Sequence, residues 1–173
     1  MQFFQRAKWL FFPAKCSVMF VCKANLCRSP MAQGMLQHYL RVRGLSSVIR
    51  VESAGTEVSM SGRAPDPRAV RALAGRAIDI AGLRSRPLAA SDFMYFDYVL
   101  ALDEAVLTEL QKSCPSSAQA EVKALLSFVP GAESLDVPDP YFGAQAGFEV
   151  VYQSLIPAIE NLADDIVARL RTR

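Results

Sequence analysis

The run Cys22-Lys23-Ala24-Asn25-Leu26-Cys27-Arg28-Ser29-Pro30 restricts the possible folds of this chain more than any other segment, because of what flanks it. Ser17 to Val21 is apolar and rich in strand formers, whereas helical spacing of apolar residues begins just after Ser29. The run is therefore a short loop between a buried strand and a helix N-terminus, the unit from which parallel α/β sheets are built.

Such a loop is suited to an anion. The first N–H groups of a helix lack internal partners and lie at the positive end of its dipole. With five residues between Cys22 and Arg28, the backbone can curl round phosphate oxygens with its N–H groups facing inward. Cys22, Lys23, Ala24, Asn25, Leu26, Cys27 and Arg28 thus form the expected phosphate-binding loop. Arg28 can close the ring with a bidentate fork that lysine lacks. Cys22 would lie at its floor, where a helix N-terminus and a guanidinium favour the thiolate, a nucleophile aimed at phosphorus. Asn25 tolerates left-handed backbone and can tie the loop together. Ser29 is placed to N-cap the helix ahead of Pro30 and to donate a hydrogen bond to the Cys22 sulfur.

Extended apolar segments at about 16–21, 48–52, 97–102 and 124–129 alternate with helical patterns, which reads as repeated β-α units in a three-layer domain. A first helix is expected from Pro30 to Arg43, ended by Gly44. Asp66 and Pro67 mark the start of another, as N-cap and first turn. In the last helix Leu155, Ile159, Leu162, Ile166 and Leu170 form one stripe, and Pro157 marks a kink or a restart. A ligand of such a sheet binds beyond the carboxyl ends of its strands. The loop after Cys22 lies there, and the long connection from Pro130 to Gly147 can reach over the same pocket.

Composition narrows the rest. A length of 173 residues with 51% hydrophobic content suits one domain with a sizeable core. The net charge of +2 is spread along the chain apart from Arg169, Arg171 and Arg173, so no nucleic-acid partner is expected. One histidine, His38, falls mid-helix on the expected surface. It offers neither a Cys/His pair nor a metal site, so no metal or cofactor is expected. The spacing of Cys16, Cys22, Cys27 and Cys114 fits neither a secreted disulfide scaffold nor zinc, which points to a reduced, cytoplasmic compartment with Cys16 and Cys114 structural. Met1 to Lys15 carries positive charge and aromatics, but its apolar run is too short for a signal peptide or a membrane span. Phe3, Phe4, Ala7, Leu10 and Phe11 can share a helical face there, either for docking or within a free tail.

Hydrolysis of a phosphoester also needs an acid for the leaving group. Pro65-Asp66-Pro67 and Pro138-Asp139-Pro140 present two similar candidates. Asp66 is better explained as a helix cap, whereas Asp139 lies in the long loop and is followed by Tyr141 and Phe142, aromatics that can wall a flat phenyl group. Asp136 ranks behind it.

The string V-C-K-A-N-L-C-R-S-P-M-A resembles the active-site signature of the low-molecular-weight protein tyrosine phosphatases. Ser53-Ala54-Gly55-Thr56, Ala64-Pro65-Asp66-Pro67-Arg68, Phe96 to Glu104 and Pro138 to Gly143 resemble further segments in family order. The resemblance starts at about Ser17 and implies a catalytic domain over residues 16–173, with residues 1–15 an extension of unknown role. The implied fold is α/β: a single three-layer α/β/α domain on a four-stranded parallel sheet, in the flavodoxin-like order 2-1-3-4. The implied activity is hydrolysis of a tyrosine-phosphorylated protein in two steps through phosphocysteine, with Cys22 as nucleophile, Arg28 binding phosphate and Asp139 as acid. Oligomeric state is not specified. Cys27 is implied as a redox partner that shields Cys22 by a reversible disulfide.

Two departures and one agreement stand out. Where the family has a loop-bracing histidine this chain reads Gly82-Leu83-Arg84-Ser85-Arg86, and Leu83 cannot hydrogen-bond to Asn25. Asn25 then leans on Ser53 alone, in a looser loop, or is braced otherwise. Glu57, Val58, Ser59 and Met60 supply no aromatic where several members place one on the pocket wall. Leu26 keeps an apolar residue where arginine-phosphatase members have Thr, which favours phosphotyrosine. Two alternatives remain. Arsenate reduction on the same loop needs further electron-carrying cysteines, of which residues 80–100 hold none. A non-catalytic phosphate-binding module is the other, prompted by Leu83.

Overall fold

Alternate residues of one central strand bury themselves in two different cores, and this organises the molecule. The computed structural model describes residues 14–172, so the reading of residues 1–15 as an extension falls, but for the last two, outside the described residues. Strand β1 (Cys16–Cys22) is buried along its whole length. Cys16, Val18, Phe20 and Cys22 point into the larger core, while Met19 and Val21 point into the smaller one on the opposite face. β1 pairs in parallel with β2 (Ile49–Gly55) and with β3 (Tyr98–Ala101), and β3 pairs with β4 (Glu121–Ala124). The order is β2-β1-β3-β4, with all strands parallel, as expected.

Helices α1 (Arg28–Val42), α2 (Pro67–Ala74) and α5 (Gln145–Thr172) pack on the larger core, and α3 (Asp92–Tyr95) and α4 (Glu104–Ser113) on the smaller. The connection after β1 thus leaves for one face and that after β3 for the other. A crevice opens between neighbouring strands whose connections diverge in this way, at their carboxyl ends. No helix among the described residues is long and apolar enough to cross a membrane.

Local differences from the sequence reading have physical causes. The fourth strand is not 124–129: it ends at Ala124, and Leu125–Phe128 form a 3-10 turn that buries Leu125 and Leu126. The apolar run mimicked a strand, whereas the true strand lies at the sheet edge and carries Glu121 and Lys123, charges that discourage further pairing. β2 runs on to Gly55, beyond the expected end at 52. Helix α1 begins at Arg28 with Cys27 at its N-cap and no side-chain cap, so Ser29 is not the cap but a residue of the first turn. Helix α5 passes Pro157 without a restart.

Asp66 does cap α2: its Oδ1 accepts the Arg68 N–H at 2.8 Å, with Pro67 following. Hydrogen bonds from the Arg68 side chain, with smaller help from the backbone bond, hold its carboxyl below the ordinary value. A group lowered in the folded state stabilises above its unfolded value, and that contribution is lost as pH falls through the folded one. Asp66→Ala should therefore cost about 1 kcal/mol at neutral pH. Denaturant unfolding repeated below the ordinary aspartate value should show this gap narrowing; a constant gap would contradict the assignment.

Candidate active site

Cys22 is the last residue of β1: it pairs with Gly55 of β2, and Val21 before it pairs on both sides, so the backbone is held while the chain beyond turns into the loop. Its Sγ lies 3.0 Å from Ser29 Oγ. The helical start at Arg28 swings Ser29 back under the sulfur, which explains why a would-be cap became a sulfur partner.

The loop keeps its shape through a buried polar chain centred on Asn25, which adopts the left-handed conformation at φ 55°. Asn25 Nδ2 donates to Ser29 Oγ and to Ser53 Oγ, both at 2.9 Å, and Ser53 Oγ donates to Gln33 Oε1 at 2.7 Å. Asn25 Oδ1 accepts the backbone N–H of Arg86 at 3.0 Å. Leu83 leaves the loop braced otherwise: a main-chain donor three residues further on takes up the asparagine oxygen, and Leu83 packs against the larger core. Thr56 and Glu57 add backbone bonds to the carbonyls of Cys22 and Lys23, and the Asp66 N–H bonds to that of Leu26. This close approach needs Gly55, since a Cβ there would come within 2.6 Å of the Lys23 carbonyl oxygen.

Arg28 is 5% exposed and gathers the rest of the site. One guanidinium nitrogen donates to Asp103 Oδ2 at 2.7 Å and to the Val137 carbonyl at 3.1 Å; the other reaches Asp139 Oδ2 at 3.1 Å. Asp103 also caps α4, accepting the Val106 N–H at 2.7 Å. Sequence reading gave Asp103, Arg86, Gln33 and Gly55 no role. Asp103 had a legible signal, as the acid just past a buried strand and just before a helix; Arg86 acts through its backbone and had none.

A cavity of about 250 Å³ opens over this arrangement, lined by Cys22, Lys23, Ala24, Leu26, Cys27, Arg28, Glu57, Asp139, Tyr141 and Phe142. The structure thus brings nucleophile candidate, loop, acid candidate and aromatic pair together. Tyr141 and Phe142 meet edge to face with centroids 4.9 Å apart, and Phe142 is 97% exposed at the rim. Across the mouth Glu57 pairs with Lys23 at 3.3 Å. Asp136 is drawn away from the site: its Oδ1 accepts the Glu104 N–H at the start of α4, so the second-choice acid is a helix partner. Burial, then the neighbouring Asp66 carboxylate, push the Cys27 thiol up to about 12. All four cysteines are free thiols.

A family model described as low molecular weight phosphotyrosine protein phosphatase matches residues 17–172. Low molecular weight phosphotyrosine protein phosphatase 2 of Drosophila melanogaster is 37% identical over 148 residues, covering 85% of this chain and 90% of that one. A protein tyrosine phosphatase from Entamoeba histolytica superposes with a TM-score of 0.82 at 31% identity, over 89% of this chain and 98% of that one. A Drosophila arginine phosphatase does so with a TM-score of 0.80 at 31% identity, over 86% and 96%. The chain therefore belongs to the low molecular weight phosphotyrosine protein phosphatase family, and so to the phosphatase hydrolases.

Proposed function

We propose that the protein hydrolyses phosphotyrosine in proteins through a phosphocysteine intermediate. The observation that carries this reading is one cavity holding Cys22, Arg28 and Asp139 together with Tyr141 and Phe142. Arg28 and the N–H groups of residues 23 to 28 bind the phosphate oxygens. Cys22 Sγ attacks phosphorus in line; the S–P bond forms as the bond to the phenolic oxygen breaks, and Asp139 gives that oxygen its proton. The incoming phosphate takes over the guanidinium nitrogen that holds Asp139, freeing the carboxyl to face the leaving oxygen. In the second step Asp139 takes a proton from water as its oxygen attacks phosphorus, and the S–P bond breaks. Ser29 Oγ, 3.0 Å from the sulfur, then donates to the departing thiolate.

Cys27 belongs to this reading as the redox partner of Cys22. Burial pushes its thiol up to about 12, so it stays protonated until a peroxide has oxidised Cys22 to the sulfenic acid; the Cys27 sulfur then attacks and loses its proton, and the S–S bond forms as the S–O bond breaks and water leaves.

The relatives include one named for arginine phosphatase activity, so substrate class is the point to test. Leu26 gives the cavity an apolar wall, and Tyr141 and Phe142 add aromatic ones. Steady-state comparison of peptides differing only in phosphotyrosine, phosphoarginine or phosphoserine should place phosphotyrosine ahead by about tenfold or more in kcat/KM. A phosphoarginine peptide turned over as well would overturn the proposed specificity.

A further inference from the structure

Capping α2 requires only the backbone N–H of Arg68, yet the Arg68 side chain is engaged on every side. Its Nε and one terminal nitrogen hold the Asp66 carboxylate at 3.0 and 2.7 Å. Its two terminal nitrogens also reach across to the acid loop, donating to the Gly143 carbonyl at 2.8 Å and the Tyr141 carbonyl at 3.0 Å. The guanidinium carbon lies 4.8 Å from the ring centroid of Phe148, itself fully buried in α5. Gln145 Nε2 donates to the Arg68 carbonyl at 3.0 Å.

These contacts add, beside the Arg28 bonds to Asp139 and Val137, a second tie between the phosphate-binding loop and the acid loop, at the far end of the latter. On one side, the Asp66 N–H bonds to the Leu26 carbonyl of the phosphate-binding loop at 2.8 Å. On the other, Asp139 Oδ1 accepts the Tyr141 N–H at 3.0 Å. The acid loop is anchored by burial at Val137 and Pro140, but residues 141–146 are exposed and have no core to hold them. A planar fork suits this bridge, since its four bonds leave from three separate nitrogens, whereas an ammonium has three donors on a single atom.

We propose that Arg68 is the positioning residue for the general acid: by tying the carbonyls of Tyr141 and Gly143 to Asp66, and through it to Leu26, it sets where Asp139 stands relative to Cys22. This rests on the reading of Asp139 as the acid. Displacing a reacting group by about 1 Å costs up to about 100-fold in rate, and the cost falls on the step that needs the proton.

The test is kcat/KM for aryl phosphates of increasingly basic leaving groups, with Arg68→Met and Arg68→Lys measured beside wild type and Asp139→Asn. Arg68→Met should lose about 10–100-fold on phenyl phosphate and much less on p-nitrophenyl phosphate, with inhibition by inorganic phosphate unchanged. Arg68→Lys keeps a charge beside Asp66 and is read in the same way if the methionine variant folds poorly. Combining Arg68→Met with Asp139→Asn should add nothing to the loss from Asp139→Asn alone, since both act through one proton. A loss equal for all leaving groups, or weakened phosphate inhibition in step with a lower Tm, would reduce Arg68 to a structural role and overturn the proposal. If Asp139→Asn itself showed no leaving-group dependence, the acid assignment would fall first and the role of Arg68 with it.

Discussion

Replacing Cys22 with serine is expected to abolish hydrolysis of p-nitrophenyl phosphate, by on the order of 10⁴-fold or more, while leaving the fold intact. Serine is smaller than cysteine and keeps a hydrogen-bonding partner for Ser29, so the buried end of β1 meets no new strain. What disappears is the nucleophile: a hydroxyl at the same point keeps its proton, and no histidine is near enough to take it, His38 being half-buried in α1 and paired with Arg41 at 2.9 Å. Inorganic phosphate should still bind, because Arg28 and the loop N–H groups are untouched. The assay is run with EDTA present, and wild-type protein is quenched during turnover to trap phosphocysteine on Cys22. Activity surviving in Cys22→Ser would remove the nucleophile assignment. Phosphate binding in wild type without any covalent intermediate would point to a binding module instead.

The second large effect is expected from Asp139→Asn. Asparagine keeps the size of the side chain and an oxygen for the Tyr141 N–H, now 3.0 Å away, but has no proton to give. Proton transfer from a positioned side chain contributes about 10²–10⁴-fold, so kcat/KM on phenyl phosphate should fall by that order. The loss should shrink on p-nitrophenyl phosphate, whose leaving group departs without help. The contact to Arg28 at 3.1 Å loses its charge in this variant, so phosphate affinity serves as the control: it should hold or tighten slightly, because the guanidinium loses a competing carboxylate. An undiminished rate on the poor leaving group would exclude Asp139 as the acid.

Much of the site was legible because its chemistry is local. Cys22, Asn25, Arg28 and Ser29 lie within one loop and its helix, and a strand followed at once by a helix N-terminus leaves few ways to arrange them. Asp66 could be separated from Asp139 by its capping context alone. Other features were hidden where the signal was not in the side chain or where another element supplied the context. Ser29 reads as a cap until the helix is seen to begin at Arg28. Asp136, ranked well behind Asp139 as the acid, cannot be given its own partner until its bond to the Glu104 N–H is seen. Leu83 reads as a gap in the bracing, because the Arg86 N–H that bonds Asn25 is a donor that every residue except proline carries.

By itself the sequence determined a parallel α/β domain with the Cys22 to Arg28 loop, the candidate phosphate site, at the end of its first strand, since hydrophobic period, turn chemistry and the Cys22 to Arg28 spacing act over a few residues. Only the tertiary structure decided how the distant loop carrying Asp139 is held to it. Arg28 links Asp103 and Asp139 across three connections, and Arg68 bridges α2 to Tyr141 and Gly143. Pairings between residues 70 or more apart depend on where sheet order and helix packing bring the strand ends, and no local pattern encodes that distance.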